Sequence, residues 1–161
     1  MEMKILNVLL VLVFSGCANV DYTEVPPADR SVSVVVDIPG VEKSILFSRA
    51  QEWLAINYVS SNDVTQLSNS EAGRIIGRGV TTADIDSGGL VTVPWKYSHT
   101  VQVDVRDGKA RLVINNFSNL ETGQPPEWKW LFNPVKASLY GLTSSFNSYM
   151  LVGGSVVEAD W

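Results

Sequence analysis

The chain has 161 residues, enough for one ordinary domain behind a leader. Its 45% hydrophobic content suits a globular core, and its net charge of −5 lacks the basic footprint that drives phosphate binding. Nucleic acid, and an anionic lipid surface as a direct charge partner, are set aside on that ground.

Ile5 to Phe14 is an apolar run preceded by Lys4. It has signal-peptide length and falls short of the roughly 20 residues that span a hydrocarbon core. The run ends in Phe14-Ser15-Gly16-Cys17, which resembles the lipobox of bacterial lipoproteins, where a peptidase cuts before a diacylglycerol-bearing cysteine. Small residues at Ser15 and Gly16 suit that narrow cleavage site; Phe14 stands where an aliphatic residue is usual. Met1-Glu2 ahead of Met3-Lys4 points to Met3 as a second possible start. Cys17 is the chain's one cysteine, so an exported domain has no disulfide. Ala18 after it, rather than Asp, leans toward an outer-membrane location facing the periplasm.

Residues 1–16 are therefore expected to be a lipoprotein signal peptide, and residues 17–30, with Pro26-Pro27, a lipid-anchored flexible tether. Residues 31–154 read as the folded domain and 155–161 as a tail. Ser31 to Asp37 is β-branched and predicts a strand ended by Pro39-Gly40. Val41 to Tyr58 predicts a helix with Leu46, Ala50, Trp53 and Leu54 on one stripe and Glu42 suited to its dipole. Val64 to Ser68 and Arg74 to Thr82 predict a hairpin. Gly77 and Gly79 share one strand face there, where missing side chains let a helix or a tryptophan approach the sheet.

Trp95 to Arg106 and Lys109 to Phe117 predict a hairpin around Asp107-Gly108. Counting outward pairs Val105 with Ala110, Val103 with Leu112 and Val101 with Ile114 on a buried face. Asp104 with Arg111 and Gln102 with Val113 fall on a wet face. A last helix begins at Asn133-Pro134, carries Val135, Leu139, Leu142, Phe146 and Tyr149, and closes at Gly153-Gly154. The order is β-α-β-β-β-β-α. The expected fold class is α+β, a single antiparallel sheet with two helices packed on one face.

That order, the helix segment Ser48-Arg49-Ala50-Gln51-Glu52-Trp53-Leu54, the strand Gly73-Arg74-Ile75-Ile76-Gly77-Arg78-Gly79 and the Asp-Gly hairpin resemble the DUF4468 family of bacterial proteins. The resemblance covers Val32 to Phe117 and extends toward the last helix. It implies a TBP-like fold and export. The family has no assigned activity, so it brings no catalytic residues.

Chemistry-bearing residues are few. The single histidine, His99, falls opposite Asn116 in the hairpin register and reads as a half-buried strand residue without a second metal ligand. Asp84 to Gly89 has the start of a calcium loop but places Gly88 at the fifth position and Trp95 at the twelfth. No nucleophile-elbow pattern occurs. No cofactor and no metal site are expected. The unusual feature is Pro125-Pro126-Glu127-Trp128-Lys129-Trp130. If this segment is extended, Trp128 and Trp130 point the same way. They then either cap the core or form, with Glu127, an aromatic platform for a protein or glycan. Trp161 is a looser candidate of the same kind.

The sequence thus predicts a non-enzymatic envelope lipoprotein held to the membrane by acylated Cys17, its domain binding a protein or cell-wall partner. Two alternatives stand beside it: an assembly accessory of an envelope complex, and a hydrolase using carboxylates such as Glu127 or Asp104.

Overall fold

A computed structural model of the chain describes residues 20–58, 65–86 and 91–153. The leader, Cys17 and Trp161 lie outside the described residues, as does part of the calcium-like segment. Five strands form one antiparallel sheet: β1 (Val32–Asp37), β2 (Thr65–Asn69), β3 (Arg74–Ile85), β4 (Val93–Arg106) and β5 (Lys109–Asn119). Their spatial order is β1-β5-β4-β3-β2. Helices α1 (Lys43–Asn57), α2 (Lys129–Ser138) and α3 (Tyr140–Val152) pack on one face. The predicted α+β architecture is the one observed.

Alternation creates that one-sided core. In β4, Tyr97, His99, Val101, Val103 and Val105 point toward the helices while the residues between them point away. The predicted pairs Val105–Ala110, Val103–Leu112 and Val101–Ile114 are in register. From α1, Leu46, Phe47, Ala50, Trp53 and Leu54 cover them. Trp53 is fully buried, meets Phe146 edge-to-face at 5.0 Å and donates its indole N–H to Ser145 Oγ at 3.2 Å.

Gly79 faces the core opposite His99, and any Cβ there would strike the Tyr58 ring and come within 2.7 Å of His99 Nε2. The expected close approach occurs at this position, but the ring that makes it is Tyr58 and not a tryptophan.

The Asp107-Gly108 turn does more than join β4 to β5. Gly108 takes φ +70°, donates its N–H to the Val41 carbonyl at 2.9 Å and accepts from the Ile38 N–H at 2.8 Å. Asp107 Oδ1 accepts the Lys43 N–H at 2.7 Å, so the first turn of α1 is capped from 64 residues away. Glu42, at the N-cap position itself, makes no side-chain cap. At the other end of the layer, the Arg49 guanidinium donates to the Met150 carbonyl at 2.7 Å and so satisfies the C-terminal turn of α3.

Three expectations need correction. The β4–β5 register slips between Ser98 and Thr100, because Asn116 bulges out of β5 with φ 54°. The bulge turns Phe117 and Asn119 onto the buried face. His99 therefore lies 2% exposed within the layer rather than half-exposed opposite Asn116.

The C-terminal helical stretch begins at Lys129, four residues before Asn133, with Pro134 in its interior, and it breaks at Leu139. Beside the break, Ser138 Oγ donates back to the Val135 carbonyl at 2.8 Å and also meets Thr81 Oγ1 at 2.9 Å. The buried stripe consequently runs through Phe132, Val135, Leu139, Phe146 and Met150, with Leu142 and Tyr149 only partly covered.

Finally, the described part of the expected 17–30 tether, residues 20–30, is tied to the domain by backbone hydrogen bonds, although most of its side chains are exposed. The backbone from Asp21 to Val25 runs antiparallel to 127–130: Trp130 and Lys129 donate to the carbonyls of Asp21 and Thr23 at 3.2 and 2.9 Å, and Val25 donates to Glu127 at 2.7 Å. Val25 is buried, and a 3-10 turn follows over Pro27–Asp29. Composition alone reads this polar, proline-rich stretch as free chain, because its pairing partner lies about a hundred residues away.

Candidate functional site

No helix among the described residues is long and apolar enough to cross a membrane. Among the described residues, no helix packs on the sheet face opposite α1, α2 and α3. At its centre, antiparallel register sets Asp104 on β4 between Arg74 on β3 and Arg111 on β5. Arg74 Nε donates to Asp104 Oδ1 at 2.6 Å, and Arg111 donates to Oδ2 at 2.7 Å. Gln102 Nε2 adds a third bond at 2.8 Å. Partial burial alone would raise the Asp104 pKa, but the hydrogen bonds from Arg111, Arg74 and Gln102 outweigh it and hold the carboxyl below its ordinary value. Asp104 is thus a fixed anion that orients two guanidinium groups, and it carries no proton to donate near neutral pH.

Beside it, Val35, Asp104, Val105, Arg106, Lys109 and Arg111 line a shallow concavity of about 440 Å³. Lys109 is shared with Asp37 at 2.6 Å. The sequence reading had Asp104 and Arg111 as a wet-face pair, which holds; it did not bring Arg74 to the same carboxylate. That requires the β3–β4 register, and the connection between those strands has no short turn signal to set it.

The predicted aromatic site comes apart. Trp128 is extended (φ −103°, ψ 148°), but the backbone turns helical at Lys129, so Trp128 and Trp130 do not share an extended face. Trp130 packs against the core and meets Tyr22 edge-to-face at 6.0 Å, its indole nitrogen buried without a partner. Trp128 remains 37% exposed. Glu127 lies 3.7 Å from Arg30, a guanidinium that also faces Glu24 at 3.6 Å and donates to the Val25 carbonyl at 2.7 Å. Glu127 and Asp104, the two carboxylates considered for hydrolysis, are not brought together: Glu127 precedes α2 and faces Arg30, and Asp104 on β4 is held by Arg74 and Arg111.

His99 is enclosed by rings. Tyr58 and Phe117 lie with ring centres 6.0 and 5.9 Å away, and Tyr58 Oη is 3.3 Å from Nε2. Burial lowers its pKa to about 4, weakly opposed by the Tyr97 backbone. The ring is a neutral member of the core at neutral pH. Among the described residues no group of three or more His, Cys, Asp or Glu could hold a metal ion.

Residues 33–119 match the family described as a domain of unknown function, DUF4468, with TBP-like fold. The chain belongs to the DUF4468 family. Two solved structures share its fold. One, a DUF4468 family protein from Bacteroides ovatus, is 13% identical, with a TM-score of 0.51 over 73% of this chain and 75% of that one. The other, a TBP-like protein from Parabacteroides distasonis, is 12% identical, with a TM-score of 0.59 over 74% of this chain and 91% of that one. No curated protein matches the chain. The DUF4468 segment runs from Ser33, the second residue of β1, to the end of β5 and so includes the whole Asp104 cluster, whereas Glu127, Trp128 and Trp130 fall beyond it.

Proposed function

We propose that this DUF4468 chain is a lipid-anchored envelope protein whose body is a non-catalytic binding module for a protein or cell-wall partner. The observation that carries the binding reading is the uncovered sheet face, which presents a fixed Asp104–arginine network beside exposed aliphatic side chains. Guanidinium groups held in place beforehand lose little freedom when a partner binds them.

The anchor reading rests on the run from Ile5 to Cys17. The N-terminal pairing adds a geometric consequence: among the described residues the backbone is already tied to the domain at Asp21, four residues after Cys17. Four extended residues reach about 14 Å. With lipid on Cys17, the body is held against the bilayer surface rather than on a long leash. Ala18 after the cysteine favours the outer membrane, with the body in the periplasm.

Metabolic labelling with a palmitate analogue tests the anchor. Wild type is expected to incorporate label and to fractionate with membranes, and Cys17→Ser to lose both. Equal labelling of the two would remove the lipoprotein reading.

A further inference from the structure

Strand alternation sorts charge as well as apolarity. Among the described residues, the face away from the helices carries Arg74 and Arg78 from β3, Lys96 and Arg106 from β4, and Lys109 and Arg111 from β5. That is half of the twelve Lys and Arg in a chain whose net charge is −5. The acids sharing this face are Asp37, Asp84 and Asp104. One side of an acidic protein is therefore locally basic.

The arginines divide cleanly by role. Arg30 and Arg49 donate to backbone carbonyls and hold the fold together. The remaining four of the chain's six are all on the open face. Arg74 and Arg111 are anchored by Asp104, while Arg78 and Arg106 make no ion pair among the described residues. Between the cations stand Val35, Leu67 and Val80, exposed by 50%, 46% and 43%. Ile76 and Val113, half-buried, join them on the same side.

We propose that this open face docks an acidic protein surface that also presents aliphatic side chains, centred on Asp104 and reaching Arg78 and Arg106. The inference rests on the binding-module reading and names its partner class. Charge complementarity sets the sign of the partner. The interleaved aliphatics set its kind, since arginine among apolar side chains is the composition of a protein interface. A sulfated or phosphorylated polymer would leave the aliphatics in water. It would also extend past the basic patch into the field of the acidic remainder, whereas an acidic patch on a protein is local on the scale of the ~8 Å screening length.

The test places a photoreactive amino acid at Thr100, which pairs with Arg78 in mid-sheet, and separately at Ser144 on α3, in the full chain in its native membranes. A protein adduct is expected from Thr100 and is expected to vanish in Arg78→Glu/Arg106→Glu. The adduct partner, identified by mass, should carry an acidic patch. In parallel, the purified full chain in nonionic micelles is titrated with a labelled peptide of alternating Glu and Val and with heparin. The peptide is expected to bind the double variant about tenfold more weakly than wild type, with Arg78→Gln/Arg106→Gln intermediate. Unchanged melting of the glutamine variant separates lost binding from lost folding.

An adduct that forms only at Ser144, or that persists at Thr100 in the double variant, would overturn the assignment of this face while leaving a binding module. Heparin binding more tightly than the peptide would overturn the protein partner. The titration reads the same whether or not Cys17 carries lipid, so failure of the anchor is seen separately.

Discussion

His99 makes the stability of this domain sensitive to acid in a definite window. Its ring is 2% exposed and packed between Tyr58 and Phe117 against Gly79. Burial depresses its pKa from 6.5 to about 4. The native state therefore refuses a proton that the unfolded chain accepts between those two values. Stability is constant above about pH 6.5, falls as pH drops toward 4, and has then lost about 3 kcal/mol. Near pH 5 the loss should be about 2 kcal/mol. Asp104 acts below this window, because its carboxyl is held below 3.8 and its contribution is lost only as pH falls further. Urea unfolding at a series of pH values from 7.5 to 4.5 measures the slope. His99→Phe keeps a planar ring beside its aromatic neighbours and should flatten the profile over that range. An identical slope in the variant, or a wild type equally stable at pH 7 and 5, would refute the argument.

Two further outcomes follow from the packing. Asp107→Ala removes the cap on α1 and should cost about 1 kcal/mol, lowering Tm by roughly 2–4 °C although the residue is in a turn remote in sequence from that helix; an unchanged melt would mean water caps α1 equally well. Trp130→Ala should destabilise by roughly 1.5–3 kcal/mol, while Trp128→Ala should stay within about 0.5 kcal/mol, both read by thermal melts. The opposite ranking would restore Trp130 to the surface.

Local signals carried the fold a long way. The β4–β5 register follows from Asp107-Gly108, because a two-residue turn fixes which residues face each other. The α1 stripe follows from helical spacing. The failures sit where a distant partner decides. Asn116 is one polar residue in a strand, and nothing beside it announces that Phe117 is wanted on the buried face. Asn133-Pro134 is a good helix start by propensity, yet the chain turns helical at Lys129, where the backbone is already tied to Asp21 and Thr23. Val20 to Asp29 has the composition of a tether and the contacts of a domain edge.

The candidate site shows the same limit from the other side. Net charge is a sum over the chain, and −5 argues against an extended polyanion. It says nothing about where the positive charges fall. Inside the hairpin, the period-2 count already placed Asp104 opposite Arg111 and left Gln102 and Val113 on the same wet face. Extending that count across β3 adds Arg74 and Arg78 and reveals a basic patch, but the sequence between β3 and β4 has no two-residue turn signal from which to count. Aromatic residues drew attention to the loop before α2 because tryptophan is conspicuous in a sequence. Arginine on every second residue of separate strands is not, until antiparallel pairing brings the strands side by side. The fold packs Trp130 against the core and leaves Arg74, Arg78, Arg106 and Arg111 on the open face, so the charge pattern that composition concealed is the one the surface displays.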